Sequence, residues 1–110
     1  MGELEIATVA PRGAERLVRL SVAGELDAAT VPRLRAALAD VVGRRPARVE
    51  LDLAGVTFCS SAAVTALRVA QRAMPGRLVI TDARRPVRRV LELCGLTESF
   101  GLTPVAQPGG

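Results

Sequence analysis

The 110-residue sequence contains no histidine, no lysine, no tryptophan and no tyrosine, and its aromatic residues are Phe58 and Phe100 alone. Without histidine or lysine, a serine has no ordinary base to activate it, so a serine hydrolase is disfavoured. The chain also lacks glycine-rich phosphate loops, paired carboxylates and clusters with metal-ligand spacing. We therefore predict no enzyme activity, no cofactor and no metal, and a core built from Leu, Val, Ile and Ala.

The two cysteines, Cys59 and Cys94, lie far apart in the sequence and in apolar surroundings. This spacing indicates neither a disulfide framework nor a metal site, and reduced thiols in such places pack as small apolar groups. A redox role for Cys59 is disfavoured because it follows the apolar run Val56 to Phe58, with no second cysteine nearby in the sequence. The N-terminus has no signal pattern, and no apolar run approaches the roughly 18 residues of a membrane span, which predicts a cytoplasmic protein without membrane insertion.

All 15 basic residues are arginines, and with 11 acidic residues they give a formal net charge of +4. They are scattered, apart from the short clusters Arg44-Arg45 and Arg84-Arg85-Arg88-Arg89. Nucleic-acid binding usually needs a focused basic face, often with stacking aromatic residues. The pattern therefore favours solvated helix faces and no nucleic-acid partner.

The length predicts a single domain over residues 1–110, with a core from about residue 3 to 103 and a short flexible tail, 104–110. Leu4 to Val9 and Leu17 to Ala23 alternate apolar with polar residues, which predicts two strands, and Pro11-Arg12-Gly13 between them predicts a turn. In the second strand, Val18, Leu20 and Val22 would share the buried face. The two strands make a plausible hairpin.

The apolar spacing then changes to three and four residues, at Val31, Leu34, Leu38 and Val41, which predicts a helix. Asp27 is one candidate N-cap, but Thr30 places Pro32 in the first turn, where proline is tolerated. We favour a loose turn at Asp27 and a helix from about Val31. Gly43 is expected to end this helix with positive φ.

Further along, Arg48 to Leu53 alternates as a strand, Ala54-Gly55 is expected to turn the chain, and Val56 to Phe58 is apolar. A second helix should begin near Ser60 or Ser61 and end about Met74, before Pro75-Gly76.

The remaining elements are a short strand, a third helix and a faint last strand. Leu78 to Thr81 predicts the strand, Pro86 opens the helix, which Gly95 closes, and the last strand would lie around Leu102. The helix carries its apolar residues at Val87, Val90, Leu91 and Cys94. The order β-β-α-β-α-β-α predicts an α/β fold, a mixed central sheet of four to five strands covered by about three to four helices.

The run DLAGVTFCSSAAVTAL, residues 52 to 67, places Ser60 and Ser61 at a strand-to-helix corner. Either hydroxyl could cap the helix, which is the usual role of serine there. A phosphate on Ser61 would instead add about −1.5 to −2 charge where the helix dipole tolerates it, and a docked partner would be repelled. The residues alone leave capping and modification open.

Three runs spanning residues 22 to 96, VAGELDAATVPRLRAAL, VELDLAGVTFCSSAAVTAL and LVITDARRPVRRVLELCGL, together resemble the STAS domain of bacterial anti-sigma factor antagonists. The family's corner pattern is close to F-x-D-S-S-G-L, so the resemblance assigns Ser61 as the phosphorylated residue, with Ser60 as the alternative. Here Ser60 replaces the acidic residue, Ala62 the second hydroxyl and Ala63 the glycine.

The resemblance implies that the unphosphorylated chain binds an anti-sigma factor that is also a serine kinase of the GHKL type, and thereby frees a sigma factor. Phosphorylation would switch this binding off and a phosphatase would restore it, so transcription is regulated indirectly. The G-E-L-D element, Gly24 to Asp27, is implied to be a loop beside the acceptor serine. The predicted partner-binding residues are Asp27, Thr30, Ser60, Ser61, Ala62 and Val64.

The altered corner favours one alternative, a STAS scaffold or accessory subunit that is never phosphorylated, for example in a lipid-transport ATPase complex. A nucleotide-binding module is disfavoured because no phosphate loop is present. We expect the protein to be a monomer or weak dimer.

Overall fold

The computed structural model describes residues 3–9 and 16–102 of the chain. Its strands are β1 (Leu4–Val9), β2 (Leu17–Leu26), β3 (Arg48–Cys59) and β4 (Leu78–Ala83), and its helices are α1 (Val31–Gly43), α2 (Ser61–Ala73) and α3 (Arg85–Leu93). The strands form one sheet in the order β1-β2-β3-β4. β1 is antiparallel to β2, and the other neighbours are parallel. The predicted mixed sheet and the predicted element order are confirmed.

The helices α1 and α2 cover one face of this sheet. Parallel neighbours joined through a helix take a right-handed crossover, so the β2-α1-β3 and β3-α2-β4 connections place α1 and α2 on the same side. On that side the core is closed by alternating strand residues and by the predicted stripe of α1, all buried: Val18, Leu20, Val22, Val31, Leu34, Leu38, Val41, Val49, Leu51 and Leu53. The opposite face of β2 and β3 carries polar side chains such as Arg19 and Glu50, which form an ion pair at 2.9 Å.

β3 is one continuous strand, so the predicted turn at Ala54-Gly55 is wrong. The strand register steps from Ser21 opposite Asp52 to Ala23 opposite Gly55, which leaves an extra residue in β3, a β-bulge. A Cβ atom at position 55 would lie 2.6 Å from Cβ of Ala23. Glycine is required there because two strands approach closely, and not because the chain reverses.

β2 continues to Leu26, beyond the predicted end at Ala23. The first three residues of the G-E-L-D element therefore pair with β3 as a strand, and the prediction that the whole element is a loop is wrong. Glu25 lies opposite Phe58 and Leu26 opposite Cys59. Asp27 alone leaves the sheet and starts the turn into α1.

The predicted start and end of α1, near Val31 and at Gly43, are confirmed, but the positive φ expected at Gly43 is wrong. Gly43 is within the helix, and the residue with positive φ is Arg45, at 51°. Pro46 follows Arg45, and a residue before proline is disfavoured in the right-handed helical region. The chain therefore turns at Arg45, two residues later than expected.

β4 extends two residues beyond the predicted Thr81, to Ala83. Of the faint strand predicted around Leu102, nothing forms up to residue 102, where the described part of the chain ends, and residues 97–101 make turns. In these turns Phe100 is fully buried, and its carbonyl oxygen accepts from the Ile80 amide of β4 at 2.9 Å. The predicted turn at residues 11–13 and the predicted tail at 104–110 lie outside the described residues.

Candidate phosphorylation and partner-binding surface

The two serines lie at the edge of the sheet where β2 and β3 both end. The Ser60 amide donates to the carbonyl oxygen of Leu26 at 2.8 Å, which joins the start of α2 to the end of β2. Because parallel strands end at the same edge, Asp27 and Ser61 are brought together there from positions far apart in the sequence.

Ser60 is the N-cap of α2. Its backbone is extended, with φ −82° and ψ 168°, and its hydroxyl accepts from the Ala63 amide at 3.3 Å. This bond satisfies one of the amides that a helix leaves without an internal partner. The side chain is only partly exposed, so the hydroxyl of Ser60 is held in a structural role.

Ser61 is the first residue of α2, and its side chain is exposed. Over residues 3–9 and 16–102 no group hydrogen-bonds with its hydroxyl, although its carbonyl oxygen accepts from the Thr65 hydroxyl at 3.1 Å. The adjacent serines thus have different environments. One hydroxyl caps the helix, and the other is free to react with or contact another molecule.

Asp27 organises the turn beside the serines. Its Oδ1 atom accepts from the amides of Ala29 at 3.0 Å and Thr30 at 3.1 Å. The Thr30 hydroxyl donates to the Glu25 carbonyl oxygen at 2.6 Å. These bonds fix the loop conformation, so Asp27 shapes this surface from a partly buried position.

Two of the six predicted partner-binding residues need a correction. Thr30 is 3% exposed and Val64 is 4% exposed, so neither side chain offers a surface to a partner. Thr30 is buried because its hydroxyl bonds within the turn, and Val64 because it faces the core from α2. Of the others, Ser61 is exposed, and Asp27, Ser60 and Ala62 are partly exposed.

Phe58 was not among the predicted partner-binding residues. The Phe58 side chain, in the run described above only as apolar, is 53% exposed at the end of β3, opposite the exposed Glu25. Ala28 and Ala29 are exposed in the adjoining turn. We define the switch surface as Glu25, Ala28, Ala29, Phe58, Ser61 and Ala62. The clue available in the sequence was that one of only two aromatic residues stands directly before the Cys-Ser-Ser corner.

Cys59 lies directly beneath this surface and is 7% exposed. Burial, and secondarily the proximity of Cys94, raise the pKa of the Cys59 thiol to about 11. Both cysteines are free thiols. Cys59 packs as an apolar group, and a thiol with this pKa is a weak nucleophile.

We expect Cys94 to be alkylated well before Cys59 when the native protein is treated with iodoacetamide at pH 8. A pKa of about 11 leaves about one thiolate in a thousand at that pH, and burial blocks the reagent further. Mass spectrometry of the digested protein after timed quenching would measure both rates. Similar rates in the native protein would contradict the buried position of Cys59, and similar rates in denaturant are the control.

Other kinds of site find no support in residues 3–9 and 16–102. These residues contain no group of three or more Cys, Asp or Glu side chains that could hold a metal ion. None of the helices within these ranges has the length and apolar character needed to cross a bilayer.

Comparison with known proteins gives consistent matches. The family model described as "Mlab, STAS domain" matches residues 9–104. The crystal structure of an anti-sigma factor antagonist from Mycobacterium paratuberculosis is similar with a TM-score of 0.81 and 28% identity, covering 94% of this chain and 87% of the other. No curated protein matches the sequence.

Two further solved structures share the fold. The anti-sigma factor antagonist SpoIIAA in its unphosphorylated form has a TM-score of 0.73 and 18% identity, over 97% of this chain and 91% of the other. The phosphorylated form of SpoIIAA, a Bacillus cell fate determinant, has a TM-score of 0.67 and 17% identity, over 97% and 95%.

Proposed function

Because this chain belongs to the STAS-domain family, we propose that it is an anti-sigma factor antagonist whose partner binding is switched off by phosphorylation of Ser61. The similar structure from Mycobacterium paratuberculosis supports the general role. The observation that carries the switch is the exposed Ser61 hydroxyl at the first position of α2, with no hydrogen-bond partner among the described residues.

In the proposed mechanism the unphosphorylated switch surface docks on an anti-sigma factor and so releases a sigma factor. Phe58 supplies the largest apolar contact, and Ala28, Ala29 and Ala62 allow close approach around it. A phosphate on Ser61 would add a charge of about −1.5 to −2 to this contact. A docked partner would have to remove water from that charged group, which makes binding unfavourable. The helix tolerates the phosphate, since the first amides of α2 and its dipole favour a negative group. The phosphate therefore weakens partner binding and does not destabilise the helix.

We further propose that the phosphate comes from the partner itself, a serine kinase of the GHKL type, and that a phosphatase removes it. This chain supplies the acceptor hydroxyl and no catalytic group. Within the described residues, Ser61 has no hydrogen-bonded base that could activate it as a nucleophile. The proposal therefore assigns the chain a non-enzymatic role in the cytoplasm.

A kinase assay tests the site of phosphorylation. After incubation with the cognate anti-sigma kinase and ATP, intact mass should show one added phosphate on the wild type and on Ser60→Ala, and none on Ser61→Ala. Ser60→Ala loses a helix cap worth about 1 kcal/mol, so the assay is best run well below its melting temperature. If phosphate were instead retained on Ser61→Ala and lost from Ser60→Ala, the phosphorylated residue would be Ser60, and the proposed site would be wrong.

The second candidate is a scaffold or accessory subunit that is never phosphorylated. The observation in its favour is Ser60, which stands where the family pattern has an acidic residue and whose hydroxyl is engaged as the helix cap. An unchanged mass with a kinase that nevertheless binds the chain tightly would favour this candidate over the switch.

A further inference from the structure

A second surface lies on the solvent side of the helical layer, in the groove between α1 and α2. We call it the α1/α2 groove, and its volume is about 620 Å³. Its walls are formed by Arg35, Ala39 and Val42 from α1 and by Thr65, Val69 and Ala73 from α2. Val69 points out of the core and is 62% exposed, one of the few large apolar side chains left in solvent.

The wall residues have the spacing that a docked helix needs. Positions 35, 39 and 42 recur along one line of α1, and positions 65, 69 and 73 along one line of α2, so the two lines face each other across the groove. Ala66 and Ala70 lie deeper between them and are 5% exposed each. Since most of these side chains are small, a third helix could approach the two backbones closely while burying Val69.

The charge of the groove indicates what kind of helix would fit. Arg35 is its charged wall residue, and in the described part of the chain it has no ion pair or hydrogen bond. No acidic residue lines the groove. Asp40 of α1 is held by Arg44 at 2.9 Å and so does not neutralise Arg35. The whole chain is also basic, at +4.

From these features we propose that the α1/α2 groove binds an amphipathic helix of a protein partner that carries acidic side chains along one edge. The apolar face of that helix covers Val69 and the alanines, and an acidic side chain pairs with Arg35. Laying an amphipathic helix in an apolar groove is a recurring form of recognition, and opposite charge at the rim sets its orientation.

The groove begins one turn along α2 from Ser61, at Thr65, but its contacts do not include the Ser61 hydroxyl. Helix binding there requires no phosphorylation, so the inference goes beyond the proposed switch. A protein that meets both surfaces would keep one contact when the other is switched off.

Methyl NMR of the full chain tests the groove with two designed peptides. Both are amphipathic helices of about 18 residues, long enough to be helical in isolation, with the same leucine face. One carries glutamates along its edges and the other lysines. The glutamate peptide should give saturable shifts at the Val69 and Ala73 methyls, and the lysine peptide should bind at least about fivefold more weakly.

Variants sharpen the result. Arg35→Glu should reverse the preference between the peptides, Val69→Asp should lower affinity for the glutamate peptide by about thirtyfold or more, and Leu93→Asp, at an exposed leucine on α3, should change nothing. No kinase or anti-sigma factor is present, so failure here leaves the proposed switch unaffected.

Three outcomes would overturn the inference. They are absent or unsaturable shifts at Val69, equal affinity for both peptides, and concentration-dependent shifts at the same methyls without peptide. The last would mean that a second copy of this chain covers the groove.

Discussion

Ser61→Asp is expected to weaken binding of the anti-sigma factor by about a hundredfold, which corresponds to about 3 kcal/mol. The aspartate would place a negative charge in the middle of the switch surface, beside Phe58 and Ala62, where a docked partner excludes water. A charge desolvated without a partner is strongly unfavourable. Calorimetric titration of the purified anti-sigma factor with the wild type and the variant would measure the change.

The same substitution should not destabilise the fold. Position 61 is the first residue of α2, and a negative side chain in a first turn stabilises a helix by about 0.3 to 1 kcal/mol. Because the side chain is exposed and no hydroxyl bond is lost, the melting temperature should stay the same or rise slightly. Binding would therefore weaken with no loss of stability, which a misfolded variant cannot imitate.

Two controls separate the effect of a charge at position 61 from the effects of losing the hydroxyl and of adding a charge elsewhere. Ser61→Ala removes the hydroxyl without adding charge and should bind like the wild type. Thr8→Asp adds the same charge at an exposed site of β1 opposite Leu20, six residues along β2 from Leu26, and should also bind normally. If the wild type and Ser61→Asp bind the anti-sigma factor equally, position 61 does not control the interaction.

The sequence predicted best the features that depend on one buried face. The stripe Val31, Leu34, Leu38 and Val41 and the alternation of β2 both report directly which side chains meet the core, so the helix and the strand were found with the correct faces. The corner was also predictable, since serine before a helix caps it in any fold.

What could not be predicted depends on partners distant in the sequence. Gly55 resembles a turn residue until Ala23 is known to lie against it across the β2-β3 pair. Thr30 resembles a contact residue until the Glu25 carbonyl is seen to accept its hydroxyl. The exposure of Phe58 could not be predicted from its apolar neighbours, because it depends on the end of β3 extending past its pairing with β4. Such facts are set by strand register, which local spacing does not encode.

Strand register also makes Gly24 the position where one added methyl group should cost the most stability. Gly24 has φ +115°, a conformation that residues with a side chain rarely adopt, and it lies opposite Leu4 where β1 begins. A Cβ atom there would lie 2.1 Å from the carbonyl oxygen of Glu3. That oxygen accepts from the Glu25 amide at 3.0 Å, so it cannot move away without breaking this hydrogen bond.

Gly24→Ala should therefore lower the free energy of unfolding by about 2 to 4 kcal/mol, through backbone strain and overpacking together. Urea denaturation would show a lower midpoint, and hydrogen exchange should show the earliest loss of protection in β1. Gly43→Ala is the matched control, since Gly43 is helical and a Cβ atom there meets nothing within 4 Å, so it should stabilise α1 by up to about 1 kcal/mol.

The two glycines carry the same substitution, which lowers the entropy of the unfolded chain equally at both positions, so chain entropy alone cannot explain opposite effects on stability. A loss of stability at position 24, beside a gain at the control position 43, would mean that β1 packs closely against Gly24. The pairing of β1 with β2 then helps to hold the strand that leads to Asp27 and the switch surface. A Gly24→Ala protein within about 0.5 kcal/mol of the wild type would instead mean that β1 does not press against Gly24. The end of β2, which leads to the switch surface, would then be held in place by its pairing with β3 alone.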